Sequence, residues 1–280
     1  MHFRRATSTL PLILAGLTAY LASVPDVMPA SSHPNMYQDD LDRADQLILR
    51  AVACYAVVLA AARCHRLGIP WQRPSANRSF YENLFTMAGL VSSMTGRPDP
   101  VKLHNFRRFA MLNADHGMAL VVFSTVVTAS SLTDPISCLI SAIAAAYGPL
   151  HFGATESAQN ALREIGDPAN VPDYLEQVKS GKRKLFGYGH REYKGVDPRV
   201  DPIKTILEDL APEFNPLFKV AEAIEAAATT DEYFVSRRLF PNADYYGNFV
   251  FTSMSVLPLS VVTSGVAEVH NLALVASSLR

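Results

Sequence analysis

Cysteine is scarce in this chain. Among its 280 residues there are only Cys54, Cys64 and Cys138, dispersed in apolar surroundings with no CxxC and no Cys/His ligand spacing. That excludes a disulfide scaffold and a cysteine-based zinc site, and predicts buried free thiols in a reducing compartment. Net charge is nearly absent as well: 25 basic residues face 26 acidic ones, for a formal charge of -1. A protein that held nucleic acid through phosphate contacts would need a basic field, so no nucleic-acid partner is expected. No apolar run reaches the roughly 20 residues of a comfortable membrane span. The longest, LPLILAGLTAYLASV and AVACYAVVLAAA, are short, and the second is bounded by Arg50 and Arg63. The first follows Arg4 and Arg5 and has the outline of a signal peptide, but it equally outlines a core helix that begins near Pro11. Both runs are taken as core helices, which predicts an intracellular protein with no membrane partner. Missing too are GxSxG, GxGxxG after a strand and GxxxxGK[ST], so a nucleophile elbow, a dinucleotide fold and a P-loop are excluded. No histidines stand at metal-ligand spacing.

What is present is helical. At 49% hydrophobic and 18% charged, the chain can bury a sizeable core. Residues 40–66 carry apolar side chains at three-to-four spacing, closed by Gly68 and Pro70. Ser79 caps a predicted helix over 80–95, closed by Gly96. Asp99-Pro100 starts the next, to about residue 113. Residues 118–131 are nearly all apolar or small, which predicts a helix buried all round. Thr133-Asp134-Pro135 opens a helix to 147. Thr155 caps another, and further helices are expected over 173–180, 201–212, 213–229, 231–239 and 245–256. The result is an all-α chain of about a dozen helices, with polar chemistry confined to their junctions.

One loop concentrates charge and backbone freedom: KRKLFGYGHREYKGVDPR at 182–199. Gly187 and Gly189 permit left-handed backbone or close approach to a ligand, and His190 follows at once. Lys182, Arg183, Lys184, Arg191, Lys194 and Arg199 make it a candidate anion loop, since arginine can grip a carboxylate bidentately. Three other junctions carry ionisable side chains beside glycine or at helix ends: His116 in NADHG, His151 in GPLHFGATES and Asp244 in PNADYYGN. Imidazoles together with a carboxylate make a general acid–base set. Taken singly, each histidine could equally be a satisfied structural residue.

Three of these segments, GPLH with following small residues and Glu156 (148–156), GYGHREYKGVDPR (187–199) and FPNADYYGN (240–248), resemble in order and spacing the signature segments of citrate synthases. The ADH at 114–116 is similar to a fourth. The resemblance covers roughly residues 8–256 and is nearest to fungal citrate synthase-like proteins, including those that condense longer acyl chains. It implies an all-α homodimer with a large helical domain (1–153), a small domain carrying the coenzyme A loop and catalytic aspartate (154–256), a divergent tail (257–280) and an active site in the cleft. It implies condensation of an acyl-CoA with oxaloacetate, then thioester hydrolysis to citrate or an alkylcitrate, with no metal and no permanently bound cofactor. By this resemblance Asp244 is the base that removes the α-proton and His151 stabilises the enolate. His190 protonates the ketone, while His116 and Arg199 hold substrate carboxylate and hydroxyl groups. Lys182, Arg183, Lys184, Phe186, Gly187, Tyr188, Gly189 and Lys194 fall in the region that contacts coenzyme A. The sequence departs from the pattern after Met254. Residues 257–280 contain no arginine before Arg280 where the family places two that clasp substrate carboxylates. This predicts weakened oxaloacetate binding, or a catalytically impaired subunit that binds ligand or dimerises with a relative.

Overall fold

The computed structural model describes residues 9–24, 41–114, 117–147, 153–211 and 215–254. The described residues form twelve α-helices, joined by loops and one 3₁₀ turn. The chain divides between Tyr147 and Gly148 into two compact units.

The first unit contains α1 (Thr9–Ser23), α2 (Leu41–Leu67), α3 (Phe80–Met87), α4 (Pro100–Leu112), α5 (Leu120–Ala129) and α6 (Pro135–Ala146). Helix α1 buries Leu12, Ile13 and Leu17 and packs on α2 and α6. Gly16 makes the close approach possible: a Cβ there would lie 2.6 Å from Cγ1 of Val58 on α2. Helix α2 is the one described helix long and apolar enough to cross a membrane, and more than half of its apolar window is buried inside the protein. Its C-terminal stop falls where Gly68 predicts it, with φ of 67°. The predicted 80–95 helix ends eight residues early. Gly89 (φ 71°) closes α3 in a Schellman turn, donating to Thr86 O at 3.0 Å while Leu90 donates to Phe85 O at 2.8 Å. The three cysteines are buried and free. Burial pushes the Cys54 thiol up to about 11; burial, aided by the Asp134 charge, pushes Cys138 up to about 12. Neither forms a thiolate readily near neutrality.

Helix α5 corrects an expectation. It is not buried all round. Only Val121 and Thr125 are buried, and Leu120, Phe123 and Val127 stand more than half exposed. The face turned to α6 is small and hydroxylic instead. Ser124 Oγ lies 2.7 Å from Ser141 Oγ, which also accepts from Thr128 Oγ1 at 2.7 Å. Composition alone could not tell which side of such a helix its own chain covers.

The second unit contains α7 (Gly153–Ile165), a 3₁₀ turn (Pro168–Asn170), α8 (Val171–Lys179), α9 (Val200–Leu210), α10 (Pro216–Ala228), α11 (Glu232–Ser236) and α12 (Ala243–Ser253). Helix α7 already includes Thr155, which is therefore no cap. Helix α10 packs on α7 and α8, and α12 packs on α7 and α9. Ile203, Ile206, Val220, Ile224, Phe234, Phe249 and Val250 form the core between them, each at most 1% exposed.

Asp134 begins α6 from a fully buried position, accepting from Ser137 N at 2.9 Å and Ser137 Oγ at 2.6 Å. Asp134→Ala is expected to destabilise the fold by about 1–2 kcal/mol. Urea unfolding checks this; an unchanged midpoint would show the cap to be dispensable.

Candidate active site

The second unit joins two short segments that the sequence separates by some fifty residues. Residues 187–189 lie antiparallel to 240–242, bridged at Tyr188 and Pro241. Gly189 N donates to Phe240 O at 2.7 Å, and Asn242 N donates to Gly187 O at 2.8 Å. The glycines are required here. Gly187 has φ of 80° and a Cβ on it would sit 2.8 Å from Cβ of Tyr245, while Gly189 has φ of 79° and faces Leu239. A side chain at 187 would combine left-handed strain with a collision against α12.

Asn242 ties this pairing to the candidate base. Its Nδ2 donates to Gly189 O at 2.8 Å, and its Oδ1 caps α12 by accepting from Asp244 N at 3.0 Å. One carboxamide thus touches the backbone of the residue before His190 and the backbone of Asp244 itself. Asp244 stands exposed in the first turn of α12, where the helix dipole favours negative charge. The structure starts this helix two residues earlier than the sequence predicts, because Asn242 is its N-cap. Asp244 is a helix residue rather than a loop residue.

His190 is half-buried, with its ring at 29° to that of Tyr193 and the centroids 4.7 Å apart. Its Nδ1 accepts from Glu192 N at 3.1 Å and from Tyr193 N at 3.3 Å. A neutral imidazole so held carries its proton on Nε2 and is a hydrogen-bond donor there. Behind the pairing stands a wall of tyrosines. Tyr188 meets Tyr245 edge-on at 4.8 Å, Tyr245 donates to Ala221 O at 2.9 Å, and Tyr246 donates to Glu225. Glu225 in turn pairs with Lys204 at 2.7 Å. Burial drives the phenols of Tyr188, Tyr245 and Tyr246 far up, with Glu225 adding to the shift, so all three are neutral packing groups, and Tyr245 and Tyr246 also hydrogen-bond.

Arg199 is clamped. Its Nε donates to Asp197 Oδ1 at 3.0 Å and its Nη2 to Asp197 Oδ2 at 2.7 Å. Burial pushes the Asp197 carboxyl up, but the hydrogen bonds and charge of Arg199 and the amide of Ala243 outweigh it, so the group is held below the usual range.

The remaining candidates divide. His116 and His151 lie outside the described residues. Lys182 and Lys184 are exposed, as is Lys194, which donates to Arg191 O at 2.9 Å. Phe186 is half-buried. Arg183 is occupied by Glu164 through two contacts at 2.6 Å and 2.5 Å, and by Gln177 at 2.8 Å. Sequence reasoning singled out neither Asn242 nor Asp197 nor Tyr193. The available signals were Asn before Ala-Asp at a helix start and Asp two residues before an arginine.

An all-helical chain with this junction matches solved citrate synthases. The one from Thermoplasma acidophilum, a ternary complex with carboxymethyl coenzyme A and oxaloacetate, aligns with a TM-score of 0.75 at 28% identity, over 98% of this chain and 68% of that one. The one from Pyrobaculum aerophilum aligns with a TM-score of 0.78 at 29% identity, over 98% and 68%. The family description "Citrate synthase, C-terminal domain" matches residues 2–267, and the chain belongs to the citrate synthase family. Among curated relatives, the alkylcitrate synthase phiJ of a fungal species is 48% identical over 89% of this chain and 55% of its own length. The alkylcitrate synthase tstJ of Talaromyces stipitatus is 43% identical over 89% and 56%. The chain spans about half the length of the curated relatives it matches.

The depressed Asp197 carboxyl has a pH consequence. A carboxyl whose folded pKa lies below its unfolded value, about 3.9, contributes stability that is fully present above that value and is lost as pH falls through the folded one. Thermal melts between pH 5 and pH 2 should show a smaller acid-side loss in Asp197→Asn than in the parent chain. Equal slopes would mean that Asp197 titrates alike folded and unfolded.

Proposed function

We propose that this chain carries the condensing chemistry of an acyl-CoA:oxaloacetate enzyme that yields citrate or an alkylcitrate. The observation that carries the reading is the junction of His190 and Asp244 segments through Asn242, in a family member 48% identical to an alkylcitrate synthase. Asp244 takes the α-proton of the acyl thioester, and the electron pair moves onto the thioester oxygen, which His151 stabilises. Stabilising that developing oxyanion matters as much as the base does. The enolate carbon then attacks the ketone of oxaloacetate, and Nε2 of His190 gives its proton to the ketone oxygen. Water finally cleaves the thioester and releases the thiol of coenzyme A. His116 and Arg199 hold substrate carboxylate and hydroxyl groups, while Lys182, Lys184, Lys194 and the 186–189 backbone face the nucleotide end of the coenzyme. Arg183, engaged by Glu164, serves that end by bracing the loop. Residues 154–256 correspond in this reading to a small domain and 1–153 to most of a large one.

Thiol release from acetyl-, propionyl- or hexanoyl-CoA in the presence of oxaloacetate tests the reading. Asp244→Asn should lower turnover by about 10²–10⁴-fold with the melting temperature retained. Near-normal turnover in that variant would remove Asp244 from the mechanism, and no release by the parent chain would leave a ligand-binding subunit.

The partner is a second copy of this chain, seated on α5. That helix turns hydroxyls to its own fold and Leu120, Phe123 and Val127 outward. This is the reverse of a solvent-facing surface helix. Phe123→Asp should shift the sedimenting species from dimer to monomer; a monomeric parent chain would contradict the assignment.

A further inference from the structure

Asp197 is 1% exposed, and its carboxylate is engaged by Arg199 and by the backbone of α12. Oδ1 accepts from Arg199 N and Arg199 Nε, each at 3.0 Å. Oδ2 accepts from Arg199 Nη2 at 2.7 Å and from Ala243 N at 3.1 Å. These bonds fill the acceptor capacity of a carboxylate, about four sites. Asp197 also begins the turn that leads into α9, its carbonyl accepting from Val200 N at 2.9 Å. The two ends of this network are unlike. One is the guanidinium assigned to substrate carboxylate. The other is the first residue of α12, immediately before Asp244.

We propose that Asp197 is a positioning residue that joins recognition of oxaloacetate to placement of the base. Its carboxylate fixes the plane and direction of the Arg199 guanidinium, so an incoming carboxylate meets a preset fork. The same carboxylate holds the start of the helix that carries Asp244. A buried ion pair is a costly way to obtain stability alone, because desolvation offsets much of the attraction. It is an effective way to keep a long cationic side chain in one orientation, which preorganises binding. Because the Ala243 amide shares Oδ2 with Arg199 Nη2, a shift of the guanidinium is felt at the residue beside the base.

The proposal rests on the condensing-enzyme reading, and a mutant cycle separates the two. Asp197→Asn keeps the shape but sets an amide donor against at least one donor of Arg199 in either orientation. Its KM for oxaloacetate should rise roughly tenfold, the order expected for one lost charge-assisted hydrogen bond, while KM for acyl-CoA changes little. Arg199→Gln should raise the same KM. The double variant Asp197→Asn/Arg199→Gln should be no worse than Arg199→Gln alone, because the aspartate acts through the arginine. Multiplying penalties, or an unchanged oxaloacetate KM in Asp197→Asn, would overturn the proposal while leaving the enzyme reading intact. The helix half has a readout that needs no turnover: the amide of Ala243 should exchange with deuterium faster in Asp197→Ala, and unaltered exchange would overturn it. If the parent chain neither turns over nor binds oxaloacetate by calorimetry, the proposal falls together with the reading.

Discussion

The antiparallel pairing of 187–189 with 240–242 is the constraint on which the rest of the second unit depends. It consists of a few main-chain hydrogen bonds and one side-chain amide. Without it, His190 would sit on a solvated basic loop and Asp244 at the start of an unrelated helix. The pairing demands glycine at 187 because Tyr245 occupies the space that a Cβ would need. Asparagine suits position 242 because its carboxamide donates to Gly189 O and caps α12 at once. Backbone groups therefore set the geometry, and the ionisable side chains are mounted on it.

Much of the fold was legible in the sequence. Apolar spacing and capping residues located α2, α4 and α6 to within a residue or two, since Asp99-Pro100 and Asp134-Pro135 state their starts locally. The error at α3 came from Gly89, which takes φ of 71° and ends the helix; that a Cβ there would meet Ile69 at 2.7 Å is a contact the local sequence does not show. The error at α5 came from a property that composition does not carry, namely which face a neighbour covers. The site was legible as motifs but not as a network. Nothing in the spacing of Asp197 and Ala243 announces that they touch, because that contact spans 46 residues.

Arg199 illustrates how a motif and a structure differ in content. The sequence offers it as one cation among many in a basic loop. The structure distinguishes it from Lys182, Lys184 and Lys194, which are exposed, and from Arg183, which Glu164 occupies. Of these loop cations, Arg199 alone is held by a buried carboxylate that also reaches the start of α12. A cationic loop of this kind is thus divided into a braced part and an accessible part, the division that the proposed pair of ligands, a small dianion and a separate polyanionic coenzyme, would use.

The central claim is that this junction forms a carbon–carbon bond rather than merely cleaving a thioester. Acyl-CoA labelled with ¹³C at the α-carbon, incubated with oxaloacetate and followed by mass spectrometry, tests this most directly. The label is expected in a tricarboxylate product. Label recovered only as the free fatty acid, or as unchanged thioester, would contradict it.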